Sequence, residues 1–547
     1  MRTHFGAIWE AIADAVPQQA AVVQGDRRVG WRDYEQRAAR MAQALLDAGV
    51  GPGSKVGMYL YNSPEYCETN FAAMKVRGVP INVNYRYLDD ELHYLLDNAD
   101  IEALVFHTSL GDRVARVRDR LDRVRLLVEV DDGAAPDGLT HVEGAVRYED
   151  LQATLAPAQR IEPRGDELYI FYTGGTTGMP KGVMYPLENF TDLFLRSYPP
   201  MIGLPRPEHP DELPATAMRL YQAGIPLVAM SAPPLMHGTG CWFGMMTPHL
   251  FGGTAVLLRE RRLDPVELWD AVEREGVQQV IIVGDAFAKP LLRALDGSPD
   301  RWDLSSLHLI VSTGAMFSSE VKRGLIQHIP ALAIADVLGS TAGGMGSSIT
   351  TRDTPGNETA KFTLLATSKV FTDDGREVEP GSGEIGAVAN GGLIPLGYYK
   401  DPEKSARTFR EVNGTPYSFP GDMATVATDG TLVLYGRGSN CINTGGEKVF
   451  PEEVEETLKR HAAVEDALVF GVPDDRFGQR VAGVVSLSPD RSASTEDILA
   501  DARCHLSSYK LPREICVVDQ VPRAPNGKAN YPTARELFLA GRREQSS

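Results

Sequence analysis

Four glycines, three threonines and one lysine fall within ten residues in Thr173-Gly-Gly-Thr-Thr-Gly-Met-Pro-Lys-Gly182, directly after the strand-like run Leu168-Tyr-Ile-Phe-Tyr172. Glycines let a backbone approach an anion, consecutive N–H groups form a nest, and hydroxyls donate to phosphate oxygens. The chemistry this composition suits is phosphate binding by Thr173, Gly174, Gly175, Thr176, Thr177 and Gly178, with Lys181 as the cation. It is not a Walker A loop, because Met179 and Pro180 precede Lys181 and no Gly-Lys-Ser/Thr triplet occurs. Taken alone, the same residues also serve a glycine-rich surface turn.

Three further short motifs each carry one charged residue. Asp422, in Phe419-Pro-Gly-Asp422, offers two carboxylate oxygens that accept hydrogen bonds. Arg437, in Tyr435-Gly-Arg437, carries a rigid fork of donors suited to oxygen pairs. Lys528, in Pro525-Asn-Gly-Lys528, places an ammonium on a polar turn. Each has an ordinary alternative: a turn aspartate, a solvated arginine and a hairpin turn.

Positioning these residues needs a large scaffold, and the length of 547 residues predicts several domains, roughly three or four by the usual domain size. With 43% hydrophobic and 23% charged residues the chain reads as an ordinary soluble globular protein. Tyr34, Ala38, Met41 and Leu45 recur at helical spacing before Gly49, and apolar runs at 56–60 and 79–83 flank a helical stretch at 65–75. Runs at 277–283, 307–311 and 333–338, with a helix at 265–275, repeat the alternation. The expected fold class is therefore α/β and multidomain, with largely parallel sheets. Two α/β subdomains are expected over about 1–165 and 166–360, and a β-rich, barrel-like part over 361–437. Past a polar stretch, Pro451-Glu-Glu453 opens a small α+β C-terminal domain, since Pro suits the first helical position and carboxylates suit its first turn.

Fifty-five basic against 73 acidic residues give a net charge of -18, which argues against nucleic acid or anionic membrane surfaces as partners. Five scattered cysteines suggest neither a disulfide framework nor a zinc site, and a cytoplasmic location is expected. Glu10 and Asp14 interrupt any signal-peptide core, and no run of about eighteen apolar residues predicts a membrane span.

In order along the chain, these motifs resemble the adenylate-forming superfamily of acyl-CoA synthetases, nonribosomal adenylation domains and luciferase-type enzymes. The phosphate loop is joined by Asn82-Val-Asn-Tyr-Arg86, Ser312-Thr-Gly-Ala-Met316, Gly383-Glu-Ile-Gly386 and Gly397-Tyr-Tyr399. The resemblance implies an adenylating domain at 1–437, a hinge at 438–442 and a mobile C-terminal domain at 443–547. It implies ATP contacts from Gly314 and Ala315 on the adenine side and from Gly339, Ser340 and Thr341, with Asp422 on ribose and Arg437 on ribose or α-phosphate. Lys528 becomes the adenylation lysine, His237 lies near the carboxylate, and Trp242 and Phe243 line the acyl pocket. Gly445, Gly446 and Lys448 fall on the strip that lines the thiol tunnel for CoA, and Asn440 stands at the usual hinge Asp or Lys.

Two positions depart from the family pattern. Leu338 stands where an aromatic usually stacks on adenine, and Ala342 where a glutamate helps hold Mg2+. Thr173 is the remaining metal-side candidate. The expected reaction converts a carboxylic acid and ATP to acyl-AMP and pyrophosphate, then uses CoA to form the thioester. A fatty or steroid-side-chain acid is expected because the 82–92 stretch looks most like bacterial synthetases of those classes. The alternatives are an acyl-AMP ligase that loads a carrier protein, and, because of Ala342, a weakly active or non-catalytic nucleotide and acyl binder. Little sequence follows Lys528, which favours CoA over an appended carrier domain. Oligomeric state is left open.

Overall fold

The computed structural model describes residues 2–133, 141–175, 178–354, 360–444, 447–474, 478–489, 491–525 and 527–545. The chain divides into two compact units. Met1–Gly343, Ile349–Gly356 and Gly392–Ser418 form one, and Gly344–Ser348, Asn357–Gly391 and Phe419–Ser547 the other.

In the first unit the predicted helix with one apolar face is Trp31–Asp47, which buries Tyr34, Ala38, Met41 and Leu45, and Gly49 turns the chain at φ 74°. The run after it forms the strand Lys55–Tyr59, which pairs in parallel with Val79–Asn82 and Ile101–His107. Leu126–Val130 and Ala145–Arg147 complete this sheet. A second sheet runs Arg27–Gly30, Ala20–Gln24, Thr254–Leu257, Val228–Ser231, Gln279–Ile282, Leu309–Thr313, Ala333–Ser340, parallel throughout except for the first strand. Such a sheet must be covered on both faces. One face packs on the helices Pro265–Glu275, Gly284–Gly297 and Ser319–His328, and on the other Ile281, Leu309, Val311 and Ala335 meet Met201, Ile202 and Phe243.

The helix Pro64–Lys75 is buried on every side although it carries Glu65, Glu68 and Lys75. Burying these charges is tolerable because each is paired: Glu65 with Arg27, Glu68 with Arg37 and the Tyr148 hydroxyl, Lys75 with Glu10 and Glu35.

In the second unit the strands Lys361–Leu364, Leu432–Arg437, Asp422–Val426, Gly386–Asn390 and Ser368–Phe371 form an antiparallel arrangement in that order. Among the described residues it is an open antiparallel sheet, of the two forms, small sheet or barrel, that its turn-rich sequence suits. The C-terminal part pairs Val464–Asp474 with Gly478–Leu487 and adds Glu514–Val517 in parallel. The helix Pro451–Leu458 starts with Pro451 in its first turn and Glu452 and Glu453 behind it, as expected. No helix among the described residues is long and apolar enough to cross a membrane.

Candidate functional site

The phosphate-cradle sequence folds as a hairpin of Leu168–Gly175 and Gly178–Pro186, with Thr173 opposite Lys181. Strand side chains alternate between faces, and the hairpin's two faces are apolar in different ways. Tyr169, Phe171, Val183 and Tyr185 enter the central core, while Ile170 and Tyr172 enter the core of the N-terminal sheet. By the same alternation Thr173 and Lys181 share the face of Tyr185, whose hydroxyl donates to the Thr341 carbonyl at 3.0 Å. The hairpin therefore presents Thr173 and Lys181 on its side toward the 339–342 turn. Gly182 is required by packing: a Cβ there would lie 2.7 Å from the Tyr172 ring and 2.8 Å from Ile170. Thr176 and Thr177 lie outside the described residues, and for Gly174, Gly175 and Gly178 only the strand pairing is described.

Buried Asn82 ties this hairpin to the His237 segment. Its amide donates to the carbonyls of Tyr172 and Met236, and its oxygen accepts the Tyr172 N–H, each at 2.8 Å. His237 is half-buried at the start of a turn whose Cys241 N–H donates back to the His237 carbonyl at 2.9 Å. Trp242 and Phe243 follow on the π-helix Thr239–Met246. Trp242 donates to the Tyr169 hydroxyl at 2.9 Å and sits half-buried among Phe171, Phe190 and Phe194 at the edge of the central core. Phe243 reaches the apolar sheet face described above.

Gly314 has φ 92°, a conformation that favours glycine, and Ala315 packs beside the core of the central sheet. Gly339 and Ser340 end the strand Ala333–Ser340, and the Ser340 hydroxyl accepts the Ala342 N–H at 3.0 Å. Ala342 itself is buried, and Leu338 is half-buried. For a magnesium ion this is a poor set of donors. Thr173 offers a hydroxyl, Ala342 offers a methyl, and no cluster of three or more His, Cys, Asp or Glu residues that could hold a metal occurs among the described residues.

In the second unit Asp422 and Arg437 face each other across paired strands, with Arg437 Nε 3.4 Å from Asp422 Oδ1. Asp422 is buried, and its Oδ2 meets no hydrogen-bond donor among the described residues. Burial raises its pKa, while Arg437 and then Lys528 pull it down. Lys528 joins the pair from the C-terminal part. Its turn is fixed by Gly527 at φ 73°, by the Ala524 N–H donating to the Lys528 carbonyl at 2.8 Å, and by Arg523, which donates to the Gly527 carbonyl while forking onto Asp466. The Lys528 side chain is exposed by surface area, yet crowding by protein atoms first and the Arg437 charge second hold its ammonium below the usual lysine pKa, with Asp422 opposing.

Asn440 ends the short turn Gly438–Asn440, and its side chain lowers the pKa of the Glu452 carboxyl against the rise that burial imposes. Glu452 also accepts the Arg437 N–H at 3.4 Å, and a Cβ on Gly436 would fall 2.2 Å from its carboxylate. Lys448 lies opposite Asn443 in a strand pair, its side chain outside the described residues, as are Gly445 and Gly446.

The site residues thus gather into two groups. In the first unit Thr173 and Lys181 pair across the hairpin, Tyr185 on the same face bonds Thr341, and Asn82 ties Tyr172 to Met236 beside His237; in the second Asp422 lies against Arg437, with Lys528 in electrostatic reach of both. Two participants escaped sequence reasoning. Asp401 forms an ion pair with Lys181 at 2.6 Å, and Glu452 packs against the Gly436–Asn440 segment. Asp401 before Pro402 reads as a helix cap, but nothing local marks a partner 220 positions away.

Comparison with known proteins decides what kind of scaffold this is. The AMP-binding enzyme family matches residues 9–399, and its C-terminal domain matches residues 453–528. The chain belongs to the AMP-binding enzyme family. Within it, this member is 40% identical to the 3-oxocholest-4-en-26-oate–CoA ligase of Rhodococcus rhodochrous, over 98% of this chain and 96% of that protein. It is 39% identical to a medium/long-chain-fatty-acid–CoA/3-oxocholest-4-en-26-oate–CoA ligase of Mycobacterium tuberculosis, over 96% and 94%. The fold matches that of the anthranilate CoA ligase AuaEII in complex with anthranoyl-AMP, with a TM-score of 0.81 at 21% identity over 100% and 98% of the chains. These matches agree with the adenylate-forming resemblance of the motifs.

Proposed function

We infer that this AMP-binding enzyme is an ATP-dependent acid:CoA ligase for a long or bulky apolar carboxylic acid, of the fatty-acid or steroid-side-chain class. The observation that carries the reading is the convergence of Lys528, Asp422 and Arg437, with one buried Asp422 oxygen left to accept a hydrogen bond. A ribose diol supplies the donors such an oxygen needs.

In the first half-reaction a carboxylate oxygen attacks the α-phosphorus of ATP and the bond to pyrophosphate breaks. Lys528 stabilises the charge that gathers on the transferring group, Asp422 and Arg437 hold ribose and α-phosphate, and the 173–178 loop with Lys181 holds the remaining phosphates. Gly314, Ala315, Gly339, Ser340 and Thr341 complete the nucleotide side, and His237 orients the acid. In the second half-reaction the CoA thiolate attacks the acyl carbonyl and AMP leaves, with Gly445, Gly446 and Lys448 on the thiol path and Asn440 at the hinge. Half-buried Trp242 and Phe243, which follow His237 in the chain, would line the acyl pocket.

Mg2+ would enter with the nucleotide's own phosphates, with Thr173 as its protein-side contact. Buried Ala342 favours one second reading, a protein that binds nucleotide and acid with weakened turnover. A pyrophosphate-release screen over acids of graded length and ring content, with and without CoA, separates the two. The ligase reading predicts acid-dependent release and CoA-dependent AMP formation; nucleotide binding without release under any acid contradicts it.

A further inference from the structure

Lys181 is the cation of the phosphate hairpin, yet it is already engaged. Its Nζ lies 2.6 Å from Asp401 Oδ2, while Asp401 Oδ1 accepts the Lys404 N–H at 3.0 Å and so caps the helix Pro402–Thr408. A second ammonium shares the place. Lys404 Nζ lies 5.6 Å and Lys181 Nζ 6.0 Å from the centroid of the Tyr398 ring. Two mobile cations thus compete for one carboxylate beside one aromatic ring.

The carboxylate is the fixed member. Besides capping its helix, Asp401 follows Lys400, which has φ 56° and donates to Asp100 at 2.8 Å, and Tyr399, whose hydroxyl donates to Asp100 at 2.7 Å. Asp100 itself has φ 53°. Two non-glycine residues in the left-handed region, bonded to each other, are costly and persist only where the surroundings hold them in place. The lysines, by contrast, hang on four-carbon stems and can swing. Lys181 bonded to Asp401 presents little net charge to an incoming polyphosphate.

We propose that Asp401 is a latch on the phosphate hairpin, a positioning residue that holds Lys181 in the free enzyme and exchanges it for Lys404 when ATP draws Lys181 onto its phosphates. Lys404 then keeps the Asp401 carboxylate from being stranded beside the bound anion. The like charge of Lys181 contributes to a lowered Lys404 pKa, after desolvation, and the Lys181 bond is the main reason Asp401 titrates below its ordinary value. The proposal rests on reading Lys181 as a phosphate ligand.

Calorimetric titration of the full chain with ATP, and with AMP as the short-phosphate control, tests it. Asp401→Asn retains a good helix cap while removing the charge. It is expected to tighten ATP roughly two- to fivefold, the range set by a part-exposed ion pair, and to shift AMP less. Lys404→Met is expected to weaken ATP, and Asp401→Asn is expected to have no effect in a Lys181→Met background. The latch is overturned if Asp401→Asn leaves ATP affinity unchanged or weakens it, or if its effect persists without Lys181. Unchanged ATP affinity in Lys181→Met alone would instead overturn the phosphate-ligand reading beneath it.

Discussion

A buried carboxylate oxygen without a donor is costly, and among the described residues Asp422 keeps one directly beside Arg437 and within the influence of Lys528. At the scale of single residues that cost makes sense if a ligand pays it. Lys528→Ala is expected to lower acid-dependent pyrophosphate release about 100- to 1,000-fold, the usual effect of removing one group aimed at developing charge. Thioester formation from synthetic acyl-AMP and CoA should fall far less, and equal losses in both assays would argue that Lys528 merely supports the fold. Ala342→Glu is expected to raise the release rate roughly tenfold or more in the presence of Mg2+. Equal rates for the two proteins would show that the missing carboxylate is not what limits turnover. Residues of this kind were partly legible in the sequence: the cradle, Asp422, Arg437 and Lys528 each sit in a short motif. Asp401 and Glu452 were not, because what matters about them is a long-range partner, and an isolated Asp-Pro or Pro-Glu-Glu records only a helix start.

At the scale of elements, the sequence carried most of the first unit. Short continuous apolar runs became parallel strands, and the 3.6-residue spacing of Tyr34, Ala38, Met41 and Leu45 became the helix Trp31–Asp47. The helix Pro64–Lys75 was found despite lacking an apolar stripe, since its charges are neutralised by partners that periodicity cannot reveal. The β-rich part suits a small sheet or a barrel, because turn residues specify hairpins without specifying closure, and the described strands form an open sheet. Trp242 shows a related limit: core packing and an acyl pocket both call for an aromatic there, and it lies half-buried beside the Tyr169 hydroxyl and three phenylalanines. The phosphate hairpin depends on close packing at Gly182, so Gly182→Ala should cost about 1–3 kcal/mol through overpacking against Tyr172 and Ile170. Urea unfolding followed by far-UV circular dichroism checks this, and an unchanged midpoint would show that the hairpin yields freely.

At the scale of the whole molecule, the two proposed half-reactions require the C-terminal part to be held in one arrangement and then released. In the second unit Glu452, on the helix Pro451–Leu458, accepts the Arg437 N–H and packs against Gly436, which ties that part to the strand Leu432–Arg437. Burial raises the Glu452 carboxyl above its ordinary pKa of 4.5, with Asp422 adding to the rise while the Arg437 N–H and Asn440 lower it; burial and then Glu452 raise Glu455 likewise. A raised carboxyl pKa means that the packed state prefers the neutral acid. Its contribution to stability is therefore complete below the ordinary value and is lost as pH rises through the raised one. Glu452→Gln is expected to flatten the decline of thermal stability from about pH 5 to pH 8, leaving the part due to Glu455. A slope equal to that of the unaltered protein would show that Glu452 is ionised throughout.

In the proposed reaction the acid is activated by bonding its own oxygen to the α-phosphorus of ATP. Supplying the acid with both carboxyl oxygens as oxygen-18, together with ATP and CoA, and weighing the products by mass spectrometry tests this directly. One labelled oxygen in each AMP, none in pyrophosphate and one retained in the acyl-CoA is the predicted outcome. Acyl-CoA formed with unlabelled AMP, or ATP bound with no acid-dependent turnover at all, would contradict it.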